Sequence, residues 1–242
     1  MKSKIILPAL LILGSLFFQS CRKGSMWGIY GKGPVETQSR DLKGFSSLYL
    51  DCDADITYVQ DSTYQVSVSG QQNILAVLET KVAEGQLRIS YLREVRKQDG
   101  LKITIHSPML YSCTIAGSGN ISSAAGYTGT TVGFYISGSG NITIGSLICN
   151  VFDTKISGSG NITISGGNSN SGSYHITGSG NVVAMEHKKN SAVAKISGSG
   201  NITVNVTDTF DATISGSGTI KYKGNPVVTT HLSGSGEIVH LK

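Results

Sequence analysis

The sequence predicts an all-β fold, a solenoid in which parallel strands from successive turns of the chain lie over one another. Three observations carry that prediction. A phrase of the form aliphatic, small, Gly-Ser-Gly, polar, aliphatic recurs along the second half, first as Ile115-Ala116-Gly117-Ser118-Gly119-Asn120-Ile121. Its polar position falls at Asn120, Asn141, Asn161, Asn181, Asn201, Thr219 and Glu237, so successive spacings are 21, 20, 20, 20, 18 and 18 residues. Self-similarity at that period marks a stacked repeat, because one unit of this length cannot bury its own apolar face. The residues bounding the phrase form two wholly aliphatic columns, Ile115 to Leu232 before it and Ile121 to Ile238 after it. Finally, 22 of the 31 glycines lie between Cys113 and Lys242 and follow the period rather than every third residue, which excludes collagen and favours ordered corners.

Taken in order, the chain opens on a targeting segment, residues 1–20. Lys2 and Lys4 precede an apolar run from Ile5 to Phe18 that ends at Phe18-Gln19-Ser20-Cys21. The run is short for a membrane span. A small residue directly before the first cysteine resembles a bacterial lipobox, so Cys21 is the expected site of lipid attachment and the membrane is an expected partner; plain secretion after cleavage near Ser20 is the alternative. Each buried acyl CH₂ contributes about 0.8 kcal/mol, so two or three chains anchor firmly. Residues 21–34, rich in glycine and without apolar alternation, read as a tether.

Residues 35–242 read as one solenoid domain. Its first part, 35–111, shows short strands without the glycine phrase: Ser47 to Leu50, Ile56 to Val59, Tyr64 to Ser69, Gln86 to Tyr91 and Lys102 to His106. Asn73 to Thr80 fits a helical turn or a strand equally, and Arg93 to Gly100 is a charged loop. Leu50-Asp51-Cys52-Asp53-Ala54-Asp55-Ile56 aligns by residue type with the repeat phrase, placing Asp55 at the Asn position. This part is therefore expected to begin the same stack in degenerate form, with parallel sheets throughout.

In the second part, 112–242, the period of two in a strand assigns the faces. The flanking aliphatic columns point inward, as does the column Cys113, Phe134, Thr154, Tyr174, Ala194, Ala212, Thr230. Thr114, Tyr135, Lys155, His175, Lys195, Thr213 and His231 point to solvent. Gly-Ser-Gly is expected to supply positive φ at a sharp corner, and the asparagine amide to bond the same amide one coil away.

Gly-Ser-Gly-Asn repeated before an aliphatic residue, together with Arg40, Phe45, Asn73-Ile74-Leu75, Leu87-Arg88-Ile89, Lys102-Ile103-Thr104-Ile105 and Pro108, resembles the "putative auto-transporter adhesin, head GIN domain" family over about residues 36 to 238. The resemblance implies a right-handed parallel β-helix shaped like the pectin lyases. It also implies cell adhesion without an enzymatic site, in proteins exported by gram-negative bacteria and often lipid-anchored. Thr219 and Glu237 depart from the Asn pattern and mark a capping or fraying end.

Composition narrows the function further. Without residues 1–20 the chain carries 18 basic side chains (20 less Lys2 and Lys4) against 15 acidic ones, a balance of +3 that argues against a nucleic-acid partner. Cys52, Cys113 and Cys149 are an odd set with no zinc spacing, so either all are free or one pair is bridged. Gly-Ser-Gly-Asn lacks the Gly-Lys-Ser/Thr of a phosphate loop. Asp51, Asp53 and Asp55 open like a calcium loop, but Ile56 replaces its glycine. No catalytic residue, cofactor or metal site is expected. The acids after Cys113, namely Asp153, Glu186, Asp208, Asp211 and Glu237, are scattered over different coils. The sequence thus favours a non-enzymatic envelope lipoprotein, held at the outer membrane on its periplasmic or outer side, that contacts glycans or surface proteins. A polysaccharide-cleaving β-helix enzyme and a purely structural envelope protein are the alternatives. The final strand, Glu237 to His240, is left without a following coil, so weak self-association through the C-terminal edge is expected.

Overall fold

The computed structural model describes residues 28–242, which form a solenoid of parallel β-sheets; Cys21 and the targeting segment lie outside them. Two long sheets flank the glycine corner. The leading sheet stacks, in order, Gln86–Tyr91, Ser47–Asp51, Ser112–Ile115, Tyr127–Ile136, Leu147–Ile156, Gly167–Ile176, the later parts of Asn181–Ile196 and Asn201–Ile214, and Val227–Leu232. The trailing sheet stacks Lys102–Ser107, Asp55–Gln60, Asn120–Ser123, Asn141–Ile144, Asn161–Ile164, the beginnings of Asn181–Ile196 and Asn201–Ile214, Thr219–Lys223 and Glu237–His240. A shorter lateral ladder, through Tyr127–Gly129, Leu147–Cys149 and Gly167–Ser169, closes the cross-section. It meets the leading sheet where the pairing skips Thr130, Asn150 and Asn170.

The register is the one the repeat predicts. Ile136, Ile156, Ile176, Ile196 and Ile214 pair in succession, and so do Ile142, Ile162, Val182, Ile202 and Ile220. All are buried. A fully buried side chain of this size contributes about 1.5–3 kcal/mol, so the two columns and the ring pairs Phe134–Phe152 and Phe152–Tyr174, at 5.4 and 5.8 Å, form one continuous core.

The corner glycines are needed for a different reason from the one expected. None from Gly117 to Gly218 in the repeated phrase has positive φ. Instead, successive corners stack so closely that a Cβ on Gly138 would lie 2.0 Å from the carbonyl oxygen of Gly117, and one on Gly160 would lie 1.9 Å from that of Gly140. The asparagine ladder forms as expected. Asn141, Asn161, Asn181 and Asn201 each donate Nδ2 to the Oδ1 one coil below, at 3.0, 2.9, 2.8 and 2.7 Å, and the same Oδ1 also accepts the backbone N–H at 3.2 Å. Asp55 is the foot of this ladder, accepting from Asn120 Nδ2 at 2.9 Å. Asn161→Ala removes one rung on each side, at a half-exposed position where water replaces part of what is lost. The expected loss is about 1–2 kcal/mol, read as a lower urea midpoint with unchanged slope.

The first part of the domain departs from the expected order. Leu50, Asp55 and Ile56 do lie against Ile115, Asn120 and Ile121. The coil that follows in sequence, however, is inserted beneath: Gln86–Tyr91 and Lys102–Ser107 stack on the far side of Ser47–Asp51 and Asp55–Gln60. The sheets are also not parallel throughout. Gln65–Gln71 runs antiparallel to both Lys102–Ser107 and Val35–Arg40, and Leu78–Ala83 runs antiparallel to Gln86–Tyr91. Short connections explain this, since a parallel return needs a dozen or more residues. Glu84 and Gly85, with φ of 52° and 72°, form a two-residue hairpin turn whose central residues both have positive φ. The ambiguous stretch Asn73 to Thr80 divides into a short helix, Gln72–Leu75, and the start of the hairpin strand. The charged loop contains Val95–Lys97, which pairs with Ile29–Tyr30 inside the stretch expected to be a tether. There Asn73 ties the chain down, accepting from Lys32 N at 2.7 Å and donating to Tyr30 O at 2.8 Å.

The two ends of the solenoid therefore differ. Antiparallel strands and the helix cover the first; among the described residues, no strand pairs with the far side of the last coil, Val227–Leu232 and Glu237–His240.

Candidate binding groove on the leading sheet

Where the chain turns from the lateral to the leading sheet, the next inward position reads Phe152, Gly172, Ala192, Phe210. On the outer face, the strip of backbone over this inward column is the floor of a depression. Outside it, Val151, Ser171, Ser191 and Thr209 stack on one rim and Ser173, Val193, Asp211 and Thr229 on the other. The result is an open groove of about 360 Å³ running parallel to the solenoid axis. At about 4.8 Å per level it spans roughly 19 Å from Val151 to Val227. That volume lies at the lower end of ligand sites. Its walls offer hydroxyls, one carboxylate and apolar patches. The neighbouring outward column runs alongside as predicted, with Lys155, Lys195 and His231 exposed and Tyr135 and His175 partly so.

Behind the groove lies a buried polar cluster that sequence reasoning missed. Lys189, only 1% exposed, donates Nζ to the carbonyls of His187 at 2.7 Å and Asn205 at 3.4 Å, and stands 5.4 Å from the centre of the Tyr174 ring. Tyr174 folds beneath Gly172, where a Cβ would come within 2.8 Å of its ring and 3.0 Å of Lys189 Cδ. Among the described residues, Tyr174 Oη and Ser169 Oγ have no hydrogen-bond partner, and the ring nitrogens of His187 lie near the carbonyls of Asn168 and Leu147 without a well-formed bond. Loss of solvent pushes the Lys189 amine down to about 7 and the His187 imidazole to about 4, the Lys189 charge adding to the latter. Burial likewise holds the Cys149 thiol up at about 11. The readable signal was register: counting twenty residues on from Ser169 places Lys189 in the inward column, where a surface lysine does not belong.

The residues singled out from sequence do not converge. Asp153 and Asp211 share an outward column but are three levels apart, roughly 14 Å at the strand spacing. Paired glycosidase carboxylates stand about 5–9.5 Å apart. Asp208 accepts from its neighbour Thr207 at 2.6 Å, and Glu186 is exposed. The Asp53 carbonyl is taken by Gln98 Nε2 at 2.9 Å, and among the described residues no three His, Cys, Asp or Glu side chains gather. Cys52, Cys113 and Cys149 are buried free thiols. Ser118, Ser139 and Ser159 sit exposed in the corners.

Residues 44–226 match the family model described as "Putative auto-transporter adhesin, head GIN domain". The chain belongs to that family. Among solved structures, the head GIN chain described here is similar to a "putative adhesin" from Bacteroides fragilis NCTC 9343, with 29% identity, a TM-score of 0.85 and coverage of 88% of this chain and 100% of the other. A "putative lipid binding protein" from Parabacteroides distasonis ATCC 8503 follows at 26% identity and TM-score 0.75, covering 89% and 100% of the two chains. A "putative adhesin" from Parabacteroides merdae ATCC 43184, 23% identical with TM-score 0.70 over 89% and 99%, shares the fold. No curated protein matches. Head GIN membership places the chain among cell-envelope or surface proteins named for adhesion.

Proposed function

We propose that this protein is a non-enzymatic adhesin, anchored in the outer membrane by lipid on Cys21, that holds an extended glycan along the leading sheet. The observation that carries the reading is the axial groove, open along its length and rimmed by Ser171, Ser173, Ser191, Thr209 and Thr229. Hydroxyls in a row suit a polymer of hydroxyls, and the apolar floor suits the less polar faces of sugar rings. A second reading is supported by Val151, Val193 and Val227 on the same walls and by the name of the P. distasonis relative: the groove takes the acyl chain of a lipid.

Screening the full chain against immobilised glycans and lipids tests both. Ser171→Trp fills the groove from outside; a surface substitution of this kind alters stability by about 0.5 kcal/mol or less. Retention on the responding glycan should fall at least tenfold with an unchanged melting temperature. Equal retention by the variant, or a response to lipids alone, would sink the glycan reading.

A further inference from the structure

We propose that the open C-terminal end docks onto the same end of a second copy, its leading edge strand Val227–Leu232 pairing antiparallel with itself about a two-fold axis through Thr230. Three features of this edge point there, and none depends on what the groove holds.

The first is the state of the edge strand. Val227 is 76% exposed and Leu232 55%, and the segment Val-Val-Thr-Thr-His-Leu carries neither a lysine, an acid nor a proline. Exposed edges are normally blunted by such residues. At the opposite end the edge strands Val35–Arg40 and Leu78–Ala83 do carry them, with Glu36, Arg40, Glu79 and Lys81.

The second is hydrogen-bond parity. Ser233 N donates to Ile214 O of the previous coil. Along a parallel strand successive residues turn their N–H and C=O groups alternately to one side and the other. Val228, Thr230 and Leu232 therefore direct both groups at the open side. In an antiparallel pair centred on Thr230, Thr230 faces its own copy and Val228 faces Leu232, so every outward-directed group of the three is satisfied. The same register places inward residues opposite inward ones, as pairing across one sheet requires, and sets His231 against Thr229 with no like charges opposed. A centre one residue away, on Thr229, still sets Val228 against Thr230 but brings Leu232 opposite Pro226, which has no N–H to give, so the fuller set of bonds forms about Thr230.

The third is closure. The first end is covered by antiparallel strands, so it offers no matching surface for head-to-tail growth. An end that matches only itself closes as a dimer. One coil about six residues on a side, with sheets about 10 Å apart, presents roughly 300–400 Å² per copy. That is below the roughly 800 Å² per partner of a stable complex, so the dimer is weak and reversible.

Sedimentation velocity of the full chain from 10 µM to 1 mM, in a detergent that keeps any acylated form monodisperse, reads the outcome. The weight-average mass should rise toward the dimer across that range. Thr230→Pro removes an N–H that serves no bond within the chain, at an edge position that tolerates proline; it should remain monomeric at 1 mM with the parent's melting temperature. As an independent readout, Thr230→Cys should form a disulfide-linked dimer under mild oxidation, because facing Cα atoms in such a pair stand about 5.5 Å apart. Val227→Cys, which faces no copy of itself, should cross-link at least tenfold more slowly. A chain that stays monomeric to 1 mM, a dimer that persists in a folded Thr230→Pro variant, or equal cross-linking of the two cysteine variants overturns the proposal.

Discussion

Gly160→Ala should lower the unfolding free energy by about 3–5 kcal/mol, more than almost any other single methyl group added to this protein. Overpacking usually costs about 1–3 kcal/mol because side chains swing aside. Here the new Cβ would stand 1.9 Å from the backbone oxygen of Gly140 and 2.9 Å from Ile136 Cγ2. A backbone carbonyl in a parallel ladder cannot swing, so the two coils must part and the asparagine rung between Asn161 and Asn141 lengthens with them. Gly166→Ala is the matched control. Its Cβ would meet nothing nearer than the Gly145 oxygen at 3.4 Å, and its φ is not positive, so its effect should stay within about 0.5 kcal/mol. Chemical unfolding of both variants decides the matter; equal midpoints would mean that corner glycines are there for flexibility and not for clearance.

Lys189→Met should stabilise the protein by about 2–4 kcal/mol at pH 7. Replacing buried ionic groups by apolar side chains of similar volume is often neutral or stabilising by about 1–4 kcal/mol; Lys189 has no buried carboxylate to lose, and its two bonds to backbone carbonyls offset only part of the gain. The effect depends on pH with a sign fixed by the direction of the shift. In the unfolded chain the amine keeps its ordinary value of 10.5, while burial brings it to about 7 in the fold. Between those values the unfolded chain binds the extra proton, so parent stability rises from pH 7 to 10.5; below pH 7 the cost of the buried ammonium is present in full. His187 adds a second step, because its folded value near 4 against 6.5 means stability lost as pH falls from 6.5 to 4. The groups facing Lys189, Cys149 and Tyr174, are held neutral by burial below pH 10. Melting curves from pH 4 to 10 should therefore show the alkaline rise in the parent and its absence in Lys189→Met, with the acid step present in both. A variant with the parent's alkaline slope would place the titrating group elsewhere.

The repeat was legible because its two signals coincide: Ile142, Ile162 and Ile202 recur at the period, and the same period brings each of Asn141, Asn161, Asn181 and Asn201 into hydrogen-bonding reach of the next. Each column identifies its own register. The base of the stack was harder to read, since Leu50 to Ile56 announces a coil by residue type but nothing local says that Gln86 to Ser107 slides underneath it. That placement is settled by the hairpin at Glu84-Gly85 and by the short link after Gln60, which are turn chemistry and not periodicity. The reason for the glycines was misread for a related cause. Sequence reports that a side chain is forbidden, but whether dihedral strain or a neighbouring carbonyl forbids it is decided one coil away. The groove depends on the same long-range relation, because its rims are stacked from outward residues about twenty apart, Ser171 on Ser191 and Ser173 on Val193.

The hydrogen bonds that join one coil to the next run along the solenoid axis, and the groove runs in the same direction. A polymer lying in it would touch five consecutive rungs, bridging the joints at which a coil could be peeled away. Tension on such a bound strand would load several ladders together rather than the outermost one alone, so the hold on the surface would strengthen the very rod that supplies it.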